Sequence, residues 1–160
     1  MGMKPVVEPS GNKDYPNAKS VERAEVTDTL FFPHVDSCLA IVFILEDDAV
    51  VGAHVAQFGG KDFGEYQPDQ NAKDAVTEMK KLTNGKKVAD VFTLGDGCYT
   101  RANFLADVTN KPLIVNADTA GGFDITVDPK RRVISAVSCV KSSTTAEWKF
   151  ADIHSGKKLI

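Results

Sequence analysis

Residues 38–45 read Cys-Leu-Ala-Ile-Val-Phe-Ile-Leu, apolar at every position. Side chains alternate between the two faces of a strand, so such a run is stable only where both faces are covered. It therefore predicts a strand in the middle of a layered structure. At eight residues it is also far short of the roughly 20 needed to cross a bilayer as a helix, so no membrane insertion is expected. Glu46-Asp47-Asp48 follows and then a second largely apolar run, 49–58, which together predict a hairpin.

The remaining pattern is mixed. A strand is expected over 21–32. Ala72, Ala75, Val76, Met79 and Leu82 recur at helical spacing and predict a helix over 69–83, capped by Asp69 and stopped at Gly85. A strand over 87–94, a second helix from 98 or 99 to 110, and strands over 113–116, 122–127, 132–140 and 147–153 complete the reading, with a turn at 128–130. Residues 1–20, with Pro5, Pro9 and Pro16 among Gly, Asn, Lys and Ser, are expected to be a flexible lead-in to one α/β domain over 21–160.

With 19 basic and 22 acidic residues the net charge is −3 and neither sign forms a block, which disfavours a dedicated nucleic-acid binder. Cys38, Cys98 and Cys139 are far apart with no Cys-x-x-Cys, so neither a disulfide framework nor a zinc ribbon is expected, and no cofactor is called for. The N-terminus lacks the apolar core of a signal peptide; a cytoplasmic protein is expected, or one exported as an effector without a cleavable signal.

A nucleophile–imidazole pair must draw on His34, His54 and His154. If 46–48 is a three-residue turn, Leu45 faces Ala49 and Ala40 faces His54. Cys38 then shares a face with His54 at the diagonal cross-strand position, roughly 7–8 Å away at Cβ, which side chains can close. A two-residue loop would put them on opposite faces. A cysteine attacks as thiolate, and a nearby imidazolium lowers the thiol pKa and later serves as proton donor to the leaving group, making Cys38 the thiol expected to react first. By pattern alone the same two residues also suit plain core packing.

Cys98, after Gly95-Asp96-Gly97 at an expected helix N-terminus, is the rival nucleophile; Cys139, in an apolar stretch, reads as packing. The glycine pairs complete no phosphate-binding motif. His34 with Asp36 forms either a local acid–base pair or solvated loop polars, and Trp148 with Phe150 reads as core.

Asp36-Ser37-Cys38-Leu39-Ala40-Ile41-Val42, followed sixteen residues after the cysteine by the histidine of Gly52-Ala53-His54, resembles the CheD family of chemoreceptor glutamine deamidases. The helix, strand, glycine loop and final hairpin downstream resemble that family too, over about residues 25–140. The cysteine–histidine fold recurs in deamidating toxins such as cytotoxic necrotising factor and Burkholderia lethal factor. The resemblance implies an α/β fold with a central β-sandwich flanked by helices, catalysis by Cys38 and His54 without metal or other cofactor, and hydrolysis of a glutamine side chain to glutamate through a thioester. It implies a protein partner bearing an exposed glutamine, either a chemoreceptor-like helix or a host regulatory protein.

Three positions depart from the family. Val35-Asp36 replaces Leu-Gly, setting a negative charge beside the thiol, and Phe32 stands where a threonine orients the histidine. Thr27, Thr29 or a backbone carbonyl would then have to orient His54. The alternatives are a non-catalytic protein-binding module on the same fold, or a small-molecule amidase or thiol transferase using the same pair.

Overall fold

The computed structural model describes residues 2–59, 65–96, 102–109, 111–117, 119–140 and 145–154. The acidic triplet makes the turn its composition predicts. Asp48 N–H donates to the Leu45 carbonyl and Leu45 N–H to the Ala49 carbonyl, both at 2.9 Å, with Asp48 in the left-handed region at φ 70°. The Asp47 carboxylate also accepts the Ala49 N–H at 3.2 Å. An aspartate tolerates that backbone conformation and completes a three-residue hairpin loop.

Along the chain lie β1 (Met3–Pro5), β2 (Val21–Ala24), β3 (Thr29–Val35), β4 (Leu39–Leu45), β5 (Val50–Val55), β6 (Phe58–Gly59), β7 (Glu65–Tyr66) and α1 (Pro68–Lys80). Then come β8 (Val88–Gly95), a 3-10 helix (Ala102–Leu105), β9 (Leu113–Asn116), β10 (Phe123–Asp128), β11 (Val133–Ser138), β12 (Thr145–Lys149) and α2 (Phe150–His154). One five-stranded sheet has the order β1-β3-β10-β11-β12 and a second the order β2-β5-β4-β8-β9, while β6 and β7 pair apart. The chain is thus mixed α/β, with two sheets of five strands.

β4 is buried at every residue, as its composition requires. Its even-numbered positions, Ala40, Val42 and Ile44, join Leu30, Phe32, Ile125, Val127, Ile134 and Trp148 of the first sheet in a core shared by the two sheets. Its odd-numbered positions pack with Ala72, Val76 and Met79 of α1 and with Phe104 and Leu105. The arrangement is sandwich-like, with α1 on the outer face of the second sheet, and α2 contributes Phe150 and Ile153 to the shared core.

Several expected boundaries move. The strand expected over 21–32 divides into β2 and β3, in different sheets, because Asp28 N–H turns back to the Glu25 carbonyl at 2.9 Å. α1 begins at Pro68 with Gln67 at its cap position rather than Asp69, and ends at Lys80, short of Gly85. In place of the described part of the second helix there is the 3-10 turn, where Asn103, Asp107, Val108 and Thr109 are poor helix formers. The expected strand over 147–153 becomes β12 and then α2: Phe150 and Ile153 are both buried, a spacing of three that suits a helix.

The N-terminal segment differs most from the expected flexible lead-in. β1 runs parallel to β3, Met3 opposite Thr29 and Pro5 opposite Phe31. Val6 N–H then donates to the Phe31 carbonyl at 2.8 Å and Val7 N–H to the Lys19 carbonyl at 3.0 Å. Val6 and Val7 are buried, so this valine pair holds the segment against the edges of both sheets. Among the described residues no helix is long and apolar enough to cross a membrane.

Gly52 of β5 faces the shared core, where a Cβ would lie 2.6 Å from Phe32 Cζ and 2.8 Å from Leu30 Cδ1. Gly52→Ala should therefore lower stability by about 1–3 kcal/mol in urea unfolding. Combined with Phe32→Leu, which removes the nearest atom, the loss should be smaller than the sum of the two single losses.

Candidate active site

The chain reaches Cys38 as it passes from β3 in the first sheet to β4 in the second, through residues 36–38. This crossing uses unusual backbone. The β3–β10 register shifts between Phe123 and Ile125, and His34 and Ser37 have φ values of 52° and 59°. Non-glycine residues in that region cost of the order of 1–3 kcal/mol unless the surroundings fix them. Here His34 N–H donates to the Asp124 carboxylate at 2.9 Å, and Ser37 N–H to the hydroxyl of the buried Thr119 at 3.1 Å. Thr119 is thus a positioning residue for the turn that presents Cys38.

His54 lies on β5 opposite Ala40, the pairing that a three-residue turn implies. Its Nδ1 is 3.0 Å from the Val6 carbonyl oxygen. A carbonyl can only accept, so Nδ1 carries the proton and the Nε2 lone pair is free in the neutral ring. Nε2 is buried, with no hydrogen-bond partner among the described residues. The orienting group is therefore a backbone carbonyl. Neither Thr27, in the turn before β3, nor Thr29, at the far end of β3 opposite Met3, takes that place. Phe32 instead packs against the imidazole with ring centroids 6.2 Å apart.

Cys38 and His54 both line an open cleft of about 810 Å³. The Cys38 sulfur, a ring nitrogen of His54 and a carboxylate oxygen of Glu8 all lie within 4.8 Å of one another. Spacing along the sequence holds no such cluster; the docking of residues 3–8 creates it. Asn71, Asp74 and Glu78 of α1 also line the cleft. The Asn71 amide donates to the Ala56 and Phe58 carbonyls at 3.0 and 3.1 Å, tying α1 to the chain that leaves β5. Phe58 also lines the cleft and meets Tyr66 edge-on with centroids 5.5 Å apart.

The electrostatics favour a neutral pair. Burial first, then the Glu8 and Asp36 carboxylates, push the Cys38 thiol up to about 12. Burial lowers His54 to about 4, against the opposing effect of the Val6 hydrogen bond. A thiolate–imidazolium pair is therefore not the resting state at pH 7. Exposure does not favour Cys38 as the first thiol to react, since it is only 5% exposed while Cys139 is exposed, although burial and Asp124 raise the Cys139 thiol as well. Cys139 lies just beyond the end of β11, and its thiol donates to the Asp124 carboxylate at 3.5 Å rather than packing in the core.

Cys98 lies outside the described residues, as do residues 60–64. His34 Nε2 is 3.6 Å from the Asp36 carboxylate on the surface, and His154 Nδ1 is 2.9 Å from Asp90, away from the cleft. The contributors that sequence reasoning missed are the Val6 carbonyl, Glu8 and Thr119. Only Val6-Val7, an apolar pair followed by an acid, gave any signal.

The chain matches no protein-family model and none of the curated proteins.

Because His54 titrates lower in the folded chain than in the unfolded one, its contribution to stability is present above pH 6.5 and is lost as pH falls through about 4. Over that window it is worth roughly 3 kcal/mol. Denaturant unfolding should show wild type losing more stability than His54→Gln between pH 6.5 and 4. Peptide mapping after brief alkylation near neutral pH should find Cys139 modified before Cys38, with Cys38 accelerating as pH rises towards 12.

Proposed function

We propose that this chain is a cysteine-dependent protein glutamine deamidase with the CheD-like fold. The observation that carries the reading is the proximity of Cys38 and His54, which line one open cleft with sulfur and ring nitrogen within 4.8 Å of each other, with His54 held in the tautomer whose Nε2 can accept a proton. That is the arrangement general-base activation of a thiol needs.

In this reading the neutral thiol gives its proton to His54 Nε2 as the sulfur attacks the carboxamide carbon. Backbone N–H groups beside Cys38 stabilise the oxyanion. The imidazolium then protonates the departing ammonia, leaving a thioester. Water, deprotonated by the same nitrogen, hydrolyses the thioester to glutamate and restores the thiol. Each step uses only this chain, the substrate and water.

The four carboxylates of the cleft, Glu8, Asp36, Asp74 and Glu78, line it without any lysine or arginine among the described residues. Such a surface attracts cationic groups and repels acidic ones. The target is accordingly a glutamine in a basic stretch of protein surface, whose positive charge also offsets the carboxylates that oppose thiolate formation.

Glutamine peptides flanked by lysine, incubated with the metal-free chain, should release ammonia and gain about one dalton at glutamine. Glutamate-flanked peptides should react at least tenfold more slowly, and Cys38→Ser should abolish the gain. A folded wild-type chain that binds the basic peptides without changing their mass would instead be a non-catalytic binding module, the reading favoured by its neutral resting thiol.

A further inference from the structure

We propose that Glu8, Cys38 and His54 form a binding site for a borderline-soft divalent cation, Zn²⁺ by preference, with the fourth coordination position open to the cleft. The donor set is one sulfur, one imidazole nitrogen and one carboxylate oxygen, which suits zinc; magnesium and calcium select oxygen donors. The three donor atoms already lie within 4.8 Å of one another. In tetrahedral zinc sites with bonds of about 2.0–2.3 Å, donors are roughly 3.3–3.7 Å apart, so a contraction of about 1 Å completes the geometry. Glu8, the half-buried member on the segment after β1, is the ligand placed to make that movement.

Three further observations point to a cation. The His54 Nε2 is buried and has no hydrogen-bond partner among the described residues, a position that costs free energy unless something occupies it. Its Nδ1–H is fixed by a backbone carbonyl, the outer contact that orients a metal-binding imidazole and selects Nε2 as ligand. The surrounding cleft carries Asp36, Asp74 and Glu78 in addition to Glu8, with no basic side chain among its described residues. Glu78 is already paired with Lys81 at 3.0 Å and Asp36 lies 3.6 Å from His34, so the charge a divalent ion would neutralise is chiefly that of Glu8, next to the sulfur.

On binding, Cys38 loses its proton to solvent as the sulfur–zinc bond forms, and Glu8 and the neutral His54 ring donate lone pairs without further proton exchange. Water or an incoming group fills the fourth position. The site does not depend on deamidase activity. Where that activity is present, zinc suppresses it, because the attacking lone pair of the sulfur is engaged.

Full-length chain stripped with a chelator and kept reduced should take up one Zn²⁺ in competition with a chromophoric chelator, in a Cys98→Ser, Cys139→Ser background that removes the other thiols. Co²⁺ in place of Zn²⁺ should give a thiolate-to-cobalt charge-transfer band and the intense visible bands of four-coordinate cobalt. Both bands should vanish in Cys38→Ser, and Glu8→Gln, which alters only a half-buried side chain, should weaken zinc binding at least tenfold. Zinc should also protect Cys38 from alkylation until the chelator is restored. No stoichiometric uptake, or uptake equal in the parent, Cys38→Ser and Glu8→Gln chains, overturns the proposal. Ammonia release from glutamine peptides is measured separately on metal-free protein, so failure of the hydrolytic reading leaves the uptake and cobalt results standing, and the reverse also holds.

Discussion

The turn at residues 46–48 decides which way every side chain of β4 and β5 points. With three residues in the loop, Leu39 pairs with Val55 and Ala40 with His54, and His54 projects towards the first sheet. One residue fewer would rotate the imidazole to the face that α1 covers, because strand side chains alternate. Asp48 in its left-handed conformation and Asp47, accepting the Ala49 N–H, hold the loop at that length. The chemistry at one end of the hairpin is therefore set at the other end, through a register that also buries the remaining residues of β4.

Placement on the shared face has an electrostatic consequence. The packing that brings Cys38 to His54 also removes water from both, and burial shifts the thiol up and the imidazole down. Glu8 and Asp36 deepen the effect on the sulfur. Such a pair is poised but uncharged, and whatever enters the cleft must supply positive charge. In the proposed deamidation a basic protein segment would do so next to the glutamine amide, and in the proposed cation site a divalent ion would do so by bonding to the sulfur itself. Both proposals answer the same physical demand of an acidic cleft around a neutral thiol.

How much of this was legible in the sequence follows from the range of each interaction. The run 38–45 required cover on two sides, and the loop arithmetic gave the pairing of Ala40 with His54; both are local properties of alternation and turn length. The β10–β11 hairpin was legible for the same reason, from its turn residues. The Val6 carbonyl was not, because a backbone group carries no residue-type signal and meets His54 across 48 positions of chain. Glu8 was hidden by the proline- and glycine-rich composition around it, which matched a flexible segment while two adjacent valines anchored it. Cys139 misled because an apolar neighbourhood does not show where a strand stops: β11 ends at Ser138, one residue short of burying the thiol.

The N-terminal segment thus links edge pairing to chemistry. β1 pairs with β3 in the first sheet, and Val7 turns its N–H to Lys19 just before β2 of the second, so residues 3–8 join the two sheets along one side. Val6 supplies the acceptor that fixes the His54 tautomer, and Glu8, two positions on, supplies the carboxylate beside the sulfur. Both groups belong to one short segment held by the Val6 and Val7 N–H bonds, so one docking event places both. Undocking would leave a buried ring N–H without its acceptor, costing about 1–3 kcal/mol, and would remove the carboxylate at the same time. The tautomer of His54, the charge next to Cys38 and the closure of the sandwich edge are in this sense one structural equilibrium, controlled by a three-residue parallel strand and the two valines that follow it.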